Sequence, residues 1–301
     1  MDAVRAAKTR WCSVLDPVYE KREAFTTSKE ARHDIDTALE ALTKLPWDGA
    51  LRGFRAGGSV EQLAHWFTKD WLRSDHEDQM LELLASDLGF LGNCIDLTFF
   101  RSKLAEAYSN PDRYRTDQGF RWLRRLGTAF ATKDRTRSGT ISNENENHWI
   151  TLVIDAEKQI VGYGNGFRTQ VPADLRKHLD WWLNEHLATK FKWVDIPVAQ
   201  QTDPHSCGIL AYFTLAHWFD PERFPLPTCT AAAMAEARIK MFLRIVRYDE
   251  RNNFSNVAQD CEFTFVALPS SDGGDAERHE AREQNTESAS ADDSEYSADS
   301  D

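Results

Sequence analysis

Several features that define common protein classes are missing from this chain. Its five cysteines, at positions 12, 94, 207, 229 and 261, are odd in number and widely spaced, and no CxxC pair occurs. That pattern argues against a zinc ribbon or a disulfide framework and fits a reducing compartment. No stretch approaches the roughly 18 consecutive apolar residues of a membrane-spanning helix. Met1 to Thr9 holds two basic residues with no apolar run behind them, so it does not read as a secretory leader. Positive charge is scarce too: 36 Lys and Arg stand against 48 Asp and Glu, a net of −12. Residues 269–301 carry −9 of this, from eleven acidic residues and two arginines, which leaves −3 for the rest. A near-neutral body without a basic face gives no electrostatic case for nucleic acid. No metal and no cofactor are expected.

What is present is apolar and patterned. Of 301 residues, 41% are hydrophobic, enough for one large core or two modest ones. Ser28 to Leu45 places Ile35, Leu39 and Leu42 at helical spacing. Gly53, Gly57 and Gly58 then break the pattern. Val60, Leu63, Trp66 and Phe67 form the next stripe, followed by Trp71-Leu72. Ser74 to Glu77 has capping-box form ahead of a helix that would bury Met80, Leu81, Leu83, Leu84 and Leu88. Cys94 to Phe100 reads as a short strand, and Leu104 to Leu126 as two helical pieces divided near Asn110-Pro111.

Lys133 to Asn147 is polar and is expected to be a long loop. His148 to Ile154 and Gln159 to Tyr163, joined by a turn at Asp155 to Lys158, carry the signal of a β-hairpin. Pro172 to Leu187 is expected to be helical and Phe191 to Val198 a third strand. Cys207 to Phe219 is almost wholly apolar, as a buried helix would be. Thr230 to Tyr248 reads as a further helix and Cys261 to Leu268 as a last strand. From Pro269 onward the composition predicts a disordered acidic tail. The resulting division is a helical N-terminal extension (1–52), a main domain (53–268) and the tail (269–301).

One cysteine stands in a chemically interesting setting. Asp203-Pro204 marks a turn, and Cys207 follows at the first turn of the buried helix. The unpaired amides and dipole of a helix N-terminus favour thiolate, and Gly208 would let a substrate backbone approach without a Cβ in the way. By itself, a buried cysteine is usually a small hydrophobe. His148, opening a strand after a polar segment, would expose its imidazole at a sheet edge and be available as a base. His178 and His186 fall within a helix and read as surface residues. His205 sits on the same tight turn as Cys207, where reaching the sulfur is sterically awkward.

These residues carry a family likeness. His148-Trp149, the hairpin with Gly162-Tyr163 leading to Asn165, and Gln201 six residues before Cys207-Gly208 resemble the SUMO-specific (ubiquitin-like-specific) cysteine proteases. Trp71-Leu72 with the Asp75 to Leu84 helix is similar to that family's tryptophan-leucine motif, and the wording Gln-Thr-Asp-x-x-Ser-Cys-Gly resembles divergent fungal members. The resemblance spans roughly residues 55 to 248. It implies an α+β, papain-like cysteine protease fold, with a central, mostly antiparallel sheet flanked by helices and the nucleophile at the N-terminus of a buried helix. It further implies that Cys207 attacks a carbonyl, His148 exchanges the proton, and Gln201 donates to the oxyanion beside the Cys207 amide. Trp149 and Trp71 would wall a channel for a Gly-Gly tail, with Gly208 also at the substrate side. The implied partner is a SUMO-type modifier with its conjugates, in the nucleus or cytoplasm.

Asn165 departs from the pattern, because the family generally has Asp there. Asparagine can orient an imidazole but cannot neutralise it, although a Cys-His-Asn arrangement is competent in papain-like proteases. Two readings follow: an active isopeptidase, or an impaired homologue that binds a ubiquitin-like protein as an interaction module.

Overall fold

In the run His148 to Ile154 the apolar side chains do not alternate with polar ones, and the computed structural model gives the reason. The strand is buried on both faces. Trp149 and Val153 enter one core, while Ile150, Leu152 and Ile154 enter another. A continuous apolar run is what a strand covered on both sides requires. The structure describes residues 29–45, 49–55, 57–89 and 93–253. The expected strand at 261–268 and the tail at 269–301 lie outside them.

The sheet has five strands in sequential order: β1 (Asn93–Ile95), β2 (Arg137–Glu144), β3 (His148–Asp155), β4 (Ile160–Gly164) and β5 (Lys192–Asp195). The long inner pairings, β2 with β3 and β3 with β4, are antiparallel, and the short outer ones are parallel. Among the described residues there are eight α-helices: α1 (Lys29–Lys44), α2 (Ser74–Leu88), α3 (Phe100–Ser109), α4 (Pro111–Thr116), α5 (Arg121–Ala131), α6 (Ala173–Leu187), α7 (Cys207–Phe219) and α8 (Ala231–Asn253). Val60–Phe67 is a 3₁₀ helix, opened by a Ser59–Gln62 capping box.

The helices divide between the faces. α2, α7 and α8, with the 3₁₀ helix, pack on the Trp149 face, and α3 to α6 pack on the Ile150 face. α1, assigned above to an N-terminal extension, contributes Ile35, Ala38 and Leu42 to the same core as Leu215 and Phe242. α7 is buried almost all round, and the Thr151 hydroxyl donates to the Ala211 carbonyl at 2.9 Å, fixing α7 against β3. No helix among the described residues is long and apolar enough to cross a membrane.

Four expectations are corrected. Lys133 to Asn147 is not a loop, because Arg137–Glu144 forms β2, an inner strand. Two of its buried hydroxyls find partners off the strand: Ser138 donates to Asp96 at 2.5 Å and Thr140 to the Leu97 carbonyl at 3.1 Å. Tertiary pairing here overrides weak β-propensity. The strand expected over Cys94 to Phe100 shrinks to Asn93–Ile95, and Phe100 already starts α3. Ser74 does not cap α2; Arg73 is the cap residue, and its N–H donates to His76 Nδ1 at 3.1 Å. His148 does not lie at a sheet edge but at the start of the central strand, and it is buried.

Candidate active site

Three segments converge at the N-terminal end of β3. The first is the tight turn between β2 and β3, where Asn145 (φ 55°) and Glu146 (φ 60°) adopt left-handed backbone. Such residues match the twist of a hairpin, and the turn sets Glu144 directly across the ladder from His148. The second is the loop after β4, which carries Asn165, and the third is the N-terminus of α7, which carries Cys207.

His148 Nε2 lies 2.9 Å from Asn165 Oδ1. The orientation of the asparagine is determined by its other contacts: Oδ1 accepts the Phe167 N–H at 2.8 Å, while Nδ2 donates to the Tyr163 hydroxyl at 3.0 Å and to Thr169 Oγ1 at 2.6 Å. Because Oδ1 is an acceptor, Nε2 carries the hydrogen, and the neutral imidazole keeps its lone pair on Nδ1. The Phe167 ring, half exposed, stacks on the imidazole with centroids 4.8 Å apart and planes at 25°.

Cys207 is 3% exposed. Burial pushes its thiol up, and this outweighs hydrogen bonds to the sulfur from the backbone N–H groups of Trp149, Gly208 and Cys207 itself. The nearby Glu77 carboxyl acts in the same upward direction as burial. A helix N-terminus is expected to favour thiolate, but at Cys207 desolvation is the larger effect. The turn ahead of the helix is organised by Asp203, which accepts from the N–H groups of His205 and Ser206 at 2.8 and 2.7 Å and from the Ser206 hydroxyl at 2.8 Å. Burial opposes ionisation of Asp203, but these bonds hold its carboxyl below the usual range. His205 Nδ1 lies 3.4 Å from Asp203, so its ring serves this turn.

Gln201 is buried beside the same turn, with its N–H donating to the Gly166 carbonyl at 3.0 Å and its Nε2 to the Asp203 carbonyl at 2.6 Å. Trp71 and Trp149 line one cleft of about 570 Å³ together with Leu72, Arg73, Asn143 and Glu146. Trp149 is buried and its indole N–H donates to the Leu72 carbonyl at 2.9 Å; Trp71 stands 45% exposed. Gly208 does not open onto free space. A Cβ there would lie 1.9 Å from Glu77 Oε1 and 3.3 Å from Leu72 Cβ, so its missing side chain admits the Glu77 carboxyl.

Sequence reasoning missed Glu77 and Arg238. Glu77 is fully buried with no hydrogen-bond partner for either oxygen among the described residues, and burial, followed by the neighbouring Asp78, holds its carboxyl well above the usual range. Arg238 is 2% exposed and donates to the carbonyls of Thr68 (2.5 Å), Asp70 (2.7 Å), His205 (3.2 Å) and His65 (3.3 Å). It thereby ties the segment ahead of Trp71 to the segment ahead of Cys207. The available signal was a charged residue on an apolar helical stripe, Glu77 with Met80, Leu81 and Leu84, and Arg238 with Met234, Phe242 and Ile245. Among the described residues no group of three or more His, Cys, Asp or Glu side chains is placed to hold a metal ion.

With its sheet packed on the buried helix that begins at Cys207, this chain has the Ulp1-like protease fold. Its resemblance to SUMO proteases is borne out by solved structures. The C-terminal protease domain of Ulp1 in complex with Smt3, the yeast ortholog of SUMO, is similar at 19% identity and TM-score 0.54, over 72% of this chain and 95% of that one. SUMO protease Ulp1 with its catalytic cysteine oxidised to a sulfenic acid gives 17% identity and TM-score 0.55, over 71% and 94%. The Ulp1-like SUMO protease catalytic domain of Chaetomium thermophilum gives 17% identity and TM-score 0.51, over 74% and 89%. No family model and no curated protein matches the chain.

Proposed function

We propose that the chain is a cysteine peptidase and isopeptidase that cleaves after the Gly-Gly tail of a ubiquitin-like modifier of SUMO type. Cys207 is the nucleophile, His148 its general acid and base, and Asn165 the residue that orients the imidazole. The observation that carries this reading is the contact of His148 Nε2 with Asn165 Oδ1 at 2.9 Å, beside Trp149, which shares one buried core with Cys207. Residues 53–268 form the catalytic domain in this reading, with α1 packed on it.

Because burial favours the neutral thiol, attack needs the proton moved from Sγ to His148 Nδ1. The thiolate adds to the carbonyl carbon of the second glycine, and the oxyanion is met by the Cys207 amide and the Gln201 side-chain amide. Collapse breaks the C–N bond, and the imidazolium protonates the leaving amine. Water, deprotonated by His148, then hydrolyses the thioester. Trp71 and Trp149 flank the cleft through which the tail enters, and two indoles leave room for residues without side chains. No cofactor takes part.

The test is labelling by SUMO, NEDD8 and ubiquitin carrying a C-terminal vinyl-sulfone or propargyl group. Labelling by the SUMO probe that disappears in Cys207→Ala supports the proposal. Labelling that persists in that variant overturns it. Tight binding of the modifier without labelling would make the chain an interaction module instead.

A further inference from the structure

We infer that Glu144 is a positioning residue for the proposed Cys207–His148 pair, supplying through Tyr163 and Asn165 the negative charge that Asn165 itself lacks. This rests on the proposed function and adds a fourth residue to its machinery. The observations are a chain of hydrogen bonds, all directed the same way. His148 Nε2–H donates to Asn165 Oδ1 at 2.9 Å, Asn165 Nδ2 donates to the Tyr163 hydroxyl at 3.0 Å, and that hydroxyl donates to Glu144 Oε2 at 3.4 Å. Every member is buried: His148 is 9% exposed, Glu144 8%, Asn165 4% and Tyr163 2%.

The donor–acceptor order permits only this direction. A carboxylate can only accept, so Tyr163 gives it the phenolic proton and uses an oxygen lone pair to receive Asn165. Burial keeps the Tyr163 phenol well protonated, and Glu144 acts in the same direction. Aligned bonds in a low-dielectric interior polarise one another, so charge on Glu144 draws Asn165 Oδ1 toward more negative character where it faces the imidazole. The fold supplies a second, independent link: the β2–β3 turn pairs Glu144 with His148 across the ladder.

The step this assists is the transfer of the proton from Cys207 Sγ to His148 Nδ1, which separates a thiolate from an imidazolium. The titratable and charged groups surrounding it are Glu144 on β2, Tyr163 on β4, Cys207 on α7, and Glu77 on α2 and Arg238 on α8 behind the thiol. Glu77 disfavours the thiolate and Arg238 favours it. Glu144 is the one acidic side chain of this group joined by hydrogen bonds to the imidazole side of the pair.

The experiment measures alkylation of Cys207 by iodoacetamide near pH 6 alongside probe labelling. Replacing the carboxylate in Glu144→Gln is expected to slow alkylation about tenfold, the effect of one pKa unit on the thiolate fraction. Asn165→Asp in the Glu144→Gln background is expected to restore it, because the charge then lies directly on the imidazole. In a Tyr163→Phe background, Glu144→Gln is expected to add less than about twofold, since the relay is already cut. Wild-type alkylation in Glu144→Gln, or a loss that Asn165→Asp fails to rescue, would overturn the inference. A matching drop in thermal midpoint with no rescue would mark Glu144 as merely structural. Iodoacetamide needs no modifier, so alkylation that follows these expectations while no modifier probe labels the chain would refute the protease reading and leave the charge coupling standing.

Discussion

The two faces of the sheet are built on different terms. On the Ile150 face a polar cluster is set into the aromatic core: the Trp182 indole donates to the Tyr114 hydroxyl at 2.9 Å, which is 2.5 Å from His186 Nε2. Phe100 and Phe130 meet Trp182 edge-on, with centroids 6.0 and 6.2 Å apart. On the Trp149 face, by contrast, both Glu77 oxygens, Gln79 Oε1, Trp66 Nε1 and Arg238 Nε are buried without a hydrogen-bond partner among the described residues. Buried polar groups left this way cost stability. That cost is concentrated behind Cys207 and the cleft, whereas the opposite face is close-packed aromatic and aliphatic core. The Trp149 face carries the thiol among these unpaired groups, while Tyr163, in the Ile150 core, carries the contact from Asn165 on to Glu144.

The largest expected effect tests the structural side. Trp182→Ala should destabilise by about 3–5 kcal/mol, as aromatic-to-alanine changes in close-packed cores do, read as a large fall in the chemical-denaturation midpoint. The fraction that remains folded should still alkylate at Cys207. Unchanged stability would mean the Ile150 face does not carry the fold.

Next comes acid sensitivity on the site side. His76 is buried and neutral, its Nδ1 accepting from the Arg73 N–H and its Nε2 2.9 Å from the Gln62 carbonyl; burial lowers its pKa to about 4. A depressed folded-state value means that stability is present above about 6.5, the unfolded value, and is lost as pH falls toward about 4. The loss amounts to about 3 kcal/mol at its fullest. Equilibrium unfolding in that window should show the decline, and His76→Gln should flatten it.

Gly208→Ala is expected to cost about 1–3 kcal/mol by overpacking, because its Cβ would run into the Glu77 carboxyl. Probe labelling should fall with it as α7 shifts. If Gly208 instead faced open substrate space, stability would stay unchanged and only labelling would suffer.

The smallest expected effect has a sign that is easy to check. With a folded-state pKa above its unfolded one, Glu77 contributes stability that is fully present below the unfolded value and lost as pH rises through the folded value. Glu77→Gln should therefore raise the thermal midpoint at pH 9 relative to wild type and leave it nearly unchanged near pH 4. A lower midpoint at pH 9 would mean that the carboxylate form is stabilised in the fold.

Much of the architecture was readable from residue patterns. Helix α7 falls on Cys207–Phe219 as its unbroken apolar run implied, and the hairpin of β3 and β4 follows its β-branched segments and the Asp155 to Lys158 turn. Strand β2 was not readable, because Ser138, Gly139, Thr140, Ser142 and Asn143 carry no periodic apolar signal. Its place is decided by two neighbouring strands and by acceptors such as Asp96 and the Leu97 carbonyl.

The site divides in the same way. Cys207 and His148 could be picked out from residue type and local setting, and Asn165 and Gln201 from the family resemblance. That Oδ1 rather than Nδ2 of Asn165 meets the imidazole, and that Tyr163 carries the contact on to Glu144, depends on atoms brought within 3.4 Å across separate strands and loops. The sequence by itself determined most of the helices and the β3–β4 hairpin, because apolar periodicity and turn chemistry are local. Tertiary structure alone decided that Glu77 is buried against Gly208, that Arg238 binds four carbonyls and that the Cys207 thiol is pushed up rather than down. Desolvation and hydrogen-bond direction are properties of surroundings, and a linear sequence does not state a residue's surroundings.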